Sequence, residues 1–272
     1  MEGIRKCLLA RAEKGLIHLS VQTWAAQTFG LPFSAIEGAI LEMGLLPARY
    51  QRNQQSLSCR QQLSLFRGQV AVIGCGGLGG YIVEELARLG VGNITVVDPD
   101  TFDEHNLNRQ LFSKLANLGQ PKVTVAADRI KEINPAVTIE PVRNTFSGKN
   151  GRELIEQVKV VADALDSIPR RLELAEVCDK CGIPLVHGSV GGWYGQVTTQ
   201  FPGEYTLQKI YSRYNHERGI EKYLGNLSFV VPMIASIEVA EIVKILLGEG
   251  STLRGKVLSL NLLDMEFTEI AF

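Results

Sequence analysis

From Gly68 onward the chain alternates short apolar runs with amphipathic stretches. The runs at 70–73, 94–97 and 138–142 have the length and β-branched content of buried strands, while 81–89 and 122–133 repeat apolar residues at helical spacing. The alternation continues through a helix at 151–157, a strand at 158–162, a helix around 170–178 and a strand at 183–186. Strand, helix and strand in regular succession predict an α/β fold, a doubly wound Rossmann-like and mainly parallel sheet. A further strand is expected at 197–200. After a polar segment at 202–227, a long helix over 231–247 stops at Gly248, and 255–272 reads as C-terminal antiparallel strands or one hairpin.

The first 48 residues follow a different pattern, a small helical N-terminal extension (1–48) ahead of the main domain (49–272). Ser20 is placed to cap a helix at 21–29, Gly30-Leu31-Pro32 to break it, and Ser34 to cap a second helix at 35–43. Helix, turn and helix raise a DNA-binding reading. Residues 20–46 hold no Lys or Arg and carry Glu37 and Glu42, the wrong sign for phosphates, so a packing or partner-docking appendage is expected instead.

Charge and composition narrow the class. With Lys+Arg 28 against Asp+Glu 29 the net charge is -1, which supplies no basic excess for nucleic acid. The most apolar stretch, 229–247, is interrupted by Glu238, Glu241 and Lys244, so no membrane span is expected. Five scattered cysteines read as reduced thiols, which points to the cytoplasm.

Candidate chemistry begins where the first strand runs into Gly74-x-Gly76-Gly77-x-Gly79 and a helix. Glycines there permit a tight turn and close backbone approach, and the N–H groups at the helix start attract anionic phosphate. Asp98 ends the next strand, where an acid commonly takes ribose hydroxyls in dinucleotide folds, so NAD is still possible at this point.

The chain then continues with Asp98-Pro-Asp100, Asn106-x-x-Arg109-Gln110, Gly119-x-x-Lys122 and Asp163-Ala-Leu-Asp166-Ser, preceded by Arg49-Tyr-Gln-Arg52. With these motifs in this order, residues 49–272 resemble the MoeB/ThiF/HesA family, bacterial relatives of ubiquitin-activating enzymes. The resemblance implies ATP in place of NAD and an adenylyltransferase. Adenylation must stabilise a triphosphate and a departing pyrophosphate, which calls for cations. Arg109 and Lys122 would supply two, and the resemblance implies a third, Arg52, reaching across a homodimer into a composite active site. It also implies that Asp98 holds the ribose, that Asp100 and Asn106 help to seat the nucleotide, and that Asp166 handles Mg2+. From local sequence alone, Arg52 reads as an ordinary surface arginine, and Asp98 and Asp166 as acids capping turns at strand ends. The joint pattern favours the site.

The family's structural zinc commonly uses two Cys-x-x-Cys pairs, whereas this chain has one, Cys178-Asp-Lys-Cys181, so no zinc site is expected. Relatives also place an acyl-accepting cysteine in a crossover loop, and 212–230 contains none, which leaves the thiol step open. His187 and His105 have no catalytic partner nearby in sequence and read as structural. The expected activity is adenylation of the C-terminal Gly-Gly carboxylate of a small ubiquitin-like sulfur-carrier protein of the MoaD or ThiS kind. A sulfur donor would then act toward molybdopterin or thiamine. Alternatives are a tRNA-carboxylate adenylating cyclase of the same family, an NAD-dependent oxidoreductase and a non-catalytic nucleotide-binding module.

Overall fold

The computed structural model describes residues 2–212 and 221–272. Helix α1 (Glu2–Leu9), strand β1 (Leu16–Ile17), helices α2 (Leu19–Phe29) and α3 (Phe33–Glu42) and strand β2 (Leu46–Pro47) come first. A 3-10 segment, Ala48–Asn53, and α4 (Cys59–Phe66) lead into β3 (Gln69–Ile73). The alternating part runs α5 (Gly77–Leu89), β4 (Asn93–Val97), α6 (Lys122–Ile133), β5 (Thr138–Val142), α7 (Gly151–Ile155), β6 (Val160–Asp163), α8 (Ile168–Cys181) and β7 (Leu185–Gly191). It closes with β8 (Tyr194–Gln200), α9 (Thr206–Tyr211), α10 (Glu221–Leu224), α11 (Val230–Leu247), β9 (Lys256–Asn261) and β10 (Glu266–Ala271).

Among the described residues the main sheet has eight strands in the order β10-β9-β8-β7-β6-β3-β4-β5. The strands from β7 to β5 are parallel, and β8, β9 and β10 join antiparallel. The chain leaves β3 for β4 and β5 on one side and then returns to β6 on the other. This reversal opens a crevice at the carboxyl ends of β3 and β6. Along β3 the period of two divides the core: Val70 and Val72 join the cluster with Ile82, Leu86 and Ile234, while Ala71 and Ile73 face Leu174 and Leu207. Both faces are covered, which is why the strands read as continuous apolar runs.

Helices α1–α3 bury a cluster of their own around Leu8, Ile17, Ile36 and Ile40. A polar clasp ties them to the sheet layer. Glu37 on α3 is fully buried, pairs with Arg49 and accepts the Tyr50 hydroxyl at 2.7 Å. Asn134, at the end of α6, donates to the Tyr50 oxygen at 2.8 Å and accepts from Arg49 at 3.0 Å, and Arg49 also donates to Gln22 on α2 at 3.0 Å. Burial pushes the Glu37 carboxyl up, and Arg49 and Tyr50 oppose the shift.

Several boundaries differ from the sequence reading. Ser20 and Ser34 are not caps: α2 and α3 start earlier, with His18 and Pro32 at the cap positions and no side-chain cap on either. The backbone carbonyls of those two residues accept the first helical N–H groups, so the serines fall inside the helices. The strand expected at 158–162 is β6, shifted toward Asp163. The strands expected at 183–186 and 197–200 are parts of the longer hairpin β7–β8, and the polar segment contains α9 and α10. The crossover loop at 212–230 lies partly outside the described residues. None of the described helices is long and apolar enough to cross a membrane.

One buried acid sets a pH dependence. Glu238 of α11 is fully buried against the backbone of Gly188 in β7, and neither carboxyl oxygen makes a well-formed hydrogen bond among the described residues. Burial, then the Asp163 carboxylate, pushes its pKa well above 4.5, and Arg171 opposes the shift. A carboxyl raised in the folded state contributes fully below its unfolded pKa and loses that contribution as pH rises through the folded value. Glu238→Gln, a neutral replacement of the same shape, is therefore expected to flatten the fall in thermal midpoint as pH rises above the ordinary carboxylate range. A parallel fall in variant and wild type would refute the assignment.

Candidate nucleotide site

The crevice at the switch point is a cleft of about 350 Å³, within the range of small-molecule sites. Its floor is the glycine turn between β3 and α5. Gly74 has a φ of 101°, a left-handed conformation that favours glycine, and a Cβ there would stand 2.5 Å from the Ala164 carbonyl oxygen. Gly79 is needed for a different reason: a Cβ on it would run into the carbonyl of Gly74. Gly76 caps α5 without a side chain, and with Gly77 it lines the cleft, so the first N–H groups of the helix point at whatever binds there. Gly79 lies behind the turn and does not line the cleft.

Asp98 fixes the turn to the loop after β4. One carboxylate oxygen accepts the Cys75 N–H at 2.6 Å and the other accepts the Asp100 N–H at 2.8 Å. Lys122, at the start of α6, is buried except for its approach to the cleft, and its Nζ donates to Asp100 at 3.1 Å. Arg109 projects from the loop after β4, donating to the His105 carbonyl at 3.2 Å and to Asn108 at 2.9 Å. Burial lowers the proton affinity of its guanidinium and the Asp166 carboxylate raises it, so the two side chains act on each other across the cleft. Asp98, Asp100, Arg109, Lys122 and Asp166 all line this one cleft.

Besides Gly79, two expected site residues stand elsewhere. Asn106 is buried and off the cleft wall, accepting the Asp103 N–H at 3.0 Å, so its side chain shapes the loop that carries Arg109. Arg52 is exposed on the Ala48–Asn53 segment and does not line the cleft of its own chain. Its motif partners Arg49 and Tyr50 belong to the clasp described above.

The cleft also has walls that motif reading missed. Asn144 and Thr145 after β5 and Arg170 and Arg171 in α8 line it. Paired arginines in the first turns of a helix that follows a strand-end acid were the available signal. Gln110 and Asn226 line the cleft too, and Gln110 Oε1 and Asn226 Oδ1 are buried without a hydrogen-bond partner among the described residues. Unpaired polar atoms of this kind suit a polar ligand. His187, read as partnerless, holds Asp163 at 2.7 Å and the Tyr211 hydroxyl at 2.9 Å.

No group of three or more His, Cys, Asp or Glu side chains arranged to hold a metal occurs among the described residues. This donor set still suits magnesium, which takes one or two carboxylates plus substrate phosphates and keeps its waters, and Asp166 is such a carboxylate in the same cleft as the glycine turn. Cys75 and Cys178 are buried, and burial raises both thiols.

Free backbone N–H groups at a helix start, two cations and acids at a switch point define the cleft of a nucleotide-binding type of α/β protein. The chain belongs to the ThiF family, whose sequence profile matches residues 50–272. It is 33% identical over 228 residues to the SAMP-activating enzyme E1 of Haloferax volcanii, covering 82% of this chain and 84% of that protein. It is 32% identical over 212 residues to the molybdopterin-synthase adenylyltransferase of Escherichia coli (strain K12), covering 77% of this chain and 85% of that protein. Among solved structures, E. coli MccB with ATP superposes with a TM-score of 0.69 at 18% identity, covering 92% of this chain and 82% of that one, a likeness of fold.

Gly79→Ala is expected to abolish ATP binding in calorimetric titration, because the turn cannot close over an added methyl group. Gly3→Ala, which meets no atom, should bind as wild type does. Unchanged affinity in Gly79→Ala would show that the nucleotide does not use this turn.

Proposed function

We propose that the protein is an ATP-dependent adenylyltransferase that activates the C-terminal carboxylate of a small ubiquitin-like sulfur-carrier protein. The observation that carries this reading is the convergence of Arg109, Lys122 and Asp166 on the glycine turn within one cleft. The relatives are named as adenylyltransferases or an activating E1, which supports the same reaction class.

In this reading the N-terminus of α5 and the glycine turn receive the phosphates, and Asp98 takes the ribose. Arg109 and Lys122 neutralise charge on the triphosphate. Magnesium, bound with the nucleotide beside Asp166, would add to that neutralisation. The substrate carboxylate oxygen attacks the α-phosphorus, a new P–O bond forms, and the bond to pyrophosphate breaks with its electron pair leaving on pyrophosphate. No proton needs to move, so the protein requires no side-chain base or nucleophile; its work is to hold two anions together and offset their repulsion. Residues 1–48 form an appendage to the catalytic domain of 49–272, and Arg52 completes the site of a second protomer in a homodimer.

Two measurements test the reading. ATP–pyrophosphate exchange should be stimulated by a Gly-Gly carrier and lost in Asp166→Ala. Exchange that appears only with tRNA would instead identify a cyclase, and none with any substrate would favour a binding module. The composite site is tested by mixing Arg52→Ala with Asp166→Ala protein. Each variant alone should be inactive, whereas random reassociation of dimers restores roughly a quarter of wild-type exchange, since half of the dimers contain one intact site. No recovery in demonstrably exchanged dimers would place Arg52 outside the site.

A further inference from the structure

The loop that carries Asp166 is held from beneath by a chain of buried polar groups. Asp163 and His187 are neighbours on β6 and β7, and both are completely buried; Arg171 on α8 and Tyr211 at the end of α9 are nearly so. His187 Nδ1 lies 2.7 Å from Asp163 Oδ2, and Nε2 lies 2.9 Å from the Tyr211 hydroxyl. Arg171 Nη1 donates to that hydroxyl at 2.9 Å. Burial pushes the His187 pKa down even though Asp163 acts in the opposite sense, so the ring is neutral near pH 7. One proton arrangement then satisfies the series: Arg171 donates to Tyr211, Tyr211 to His187 Nε2, and His187 Nδ1 to Asp163.

Both ends of this chain grip the same residue. Asp163 Oδ1 accepts the Leu165 N–H at 3.0 Å. Arg171 closes on the Leu165 carbonyl with Nε at 3.0 Å and Nη2 at 2.7 Å. Leu165 is thus held by its N–H and its C=O, and the next residue is Asp166. On its other side the loop is tied by Ala164, whose N–H donates to the Ile73 carbonyl at 2.9 Å and whose own carbonyl lies against Gly74. The loop is set between the glycine turn and the polar chain. Arg171 lines the cleft, and its Nε, Nη1 and Nη2 each donate within the protein, which makes it a strut for the loop.

We infer that Arg171, Tyr211 and His187 are positioning residues that fix the distance between the Asp166 carboxylate and the phosphate floor, acting through Leu165. The inference rests on the reading of Asp166 as the residue that handles magnesium. Partners that orient a metal-binding carboxylate are worth about 10- to 100-fold in metal affinity, and removing one should appear in metal dependence before anything else.

The experiment compares ATP binding with and without Mg2+ by calorimetry in the full chain. Tyr211→Phe deletes only the hydroxyl that joins Arg171 to His187. It is expected to reduce the Mg2+-linked gain in ATP affinity by about tenfold while affinity for ATP alone stays at the wild-type value, and to raise the Mg2+ half-saturation of exchange by the same factor. Arg171→Lys, which keeps the charge but loses the fork on Leu165, should do likewise and serves if Tyr211→Phe does not fold. Asn134→Ala, in the remote clasp, is the control for destabilisation and should lower the thermal midpoint without changing the metal linkage. If Tyr211→Phe and Arg171→Lys lose stability yet keep wild-type magnesium linkage, the groups are only structural and the inference falls. Wild-type protein with carrier-stimulated exchange but no dependence of that linkage on Asp166 would overturn the inference while leaving adenylation standing.

Discussion

The site depends on how closely two backbone turns pack at the carboxyl ends of β3 and β6. Ile73 and Asp163 are register partners in adjacent parallel strands, so the loops that follow them emerge side by side at one level. Gly74 meets the Ala164 carbonyl there, at a φ that a side chain rarely tolerates. Helix α5 begins at the cleft with no side-chain cap hydrogen bond on its first N–H groups among the described residues. The contact between Gly74 and Ala164 fixes where Asp166 stands relative to those groups. Val97 shares the same level through its pairing with Ile73, which brings Asp98 to the third side, where its carboxylate closes on the Cys75 N–H. The meeting of the glycine turn, Asp98 and Asp166 around one cleft is a consequence of strand register.

The doubly wound core was legible because its strands are buried on both faces and its helices on one, so two periodicities separate cleanly. The lapses have local causes. Strand β7 reads as shorter than it is because it contains Gly188 and Gly191, which strand propensity disfavours; yet Gly188 is required there, since a side chain would collide with the Glu238 carboxyl. Gly195 in β8 leaves room for Ile234 in the same way. Helices α9 and α10 are too short for an apolar period to register. The cap residues were misread because backbone carbonyls of His18 and Pro32, which carry no compositional signal, start α2 and α3.

At the site, most of the residues that line the cleft from the glycine turn and the loops after β4 and β6 come in compact motifs. The residues that hold them in place did not come so. His187 is separated from Asp163 by 24 positions and Tyr211 from Arg171 by 40, so only the tertiary fold discloses their pairing. The Arg49-Tyr50 half of a quoted motif proved to be a clasp for the N-terminal helices, although the same four residues also present Arg52. A motif written as one string can therefore include residues that only anchor it, here Arg49 and Tyr50.

Lys122 shows how a charge is kept at the cleft wall. Its side chain is 8% exposed, whereas that of its partner Asp100 is 65% exposed. A buried ammonium without a partner is costly, and the ion pair offsets that cost in the unliganded protein. In the proposed reading of Lys122 as a phosphate ligand, the amine would exchange one anion for another, and the carboxylate it leaves is already largely hydrated. The exchange thus avoids a second desolvation step, so most of the new electrostatic attraction remains available to the nucleotide. Arg109 and Asp166 act on each other across the cleft by the same logic, each moderating a charge of the opposite sign.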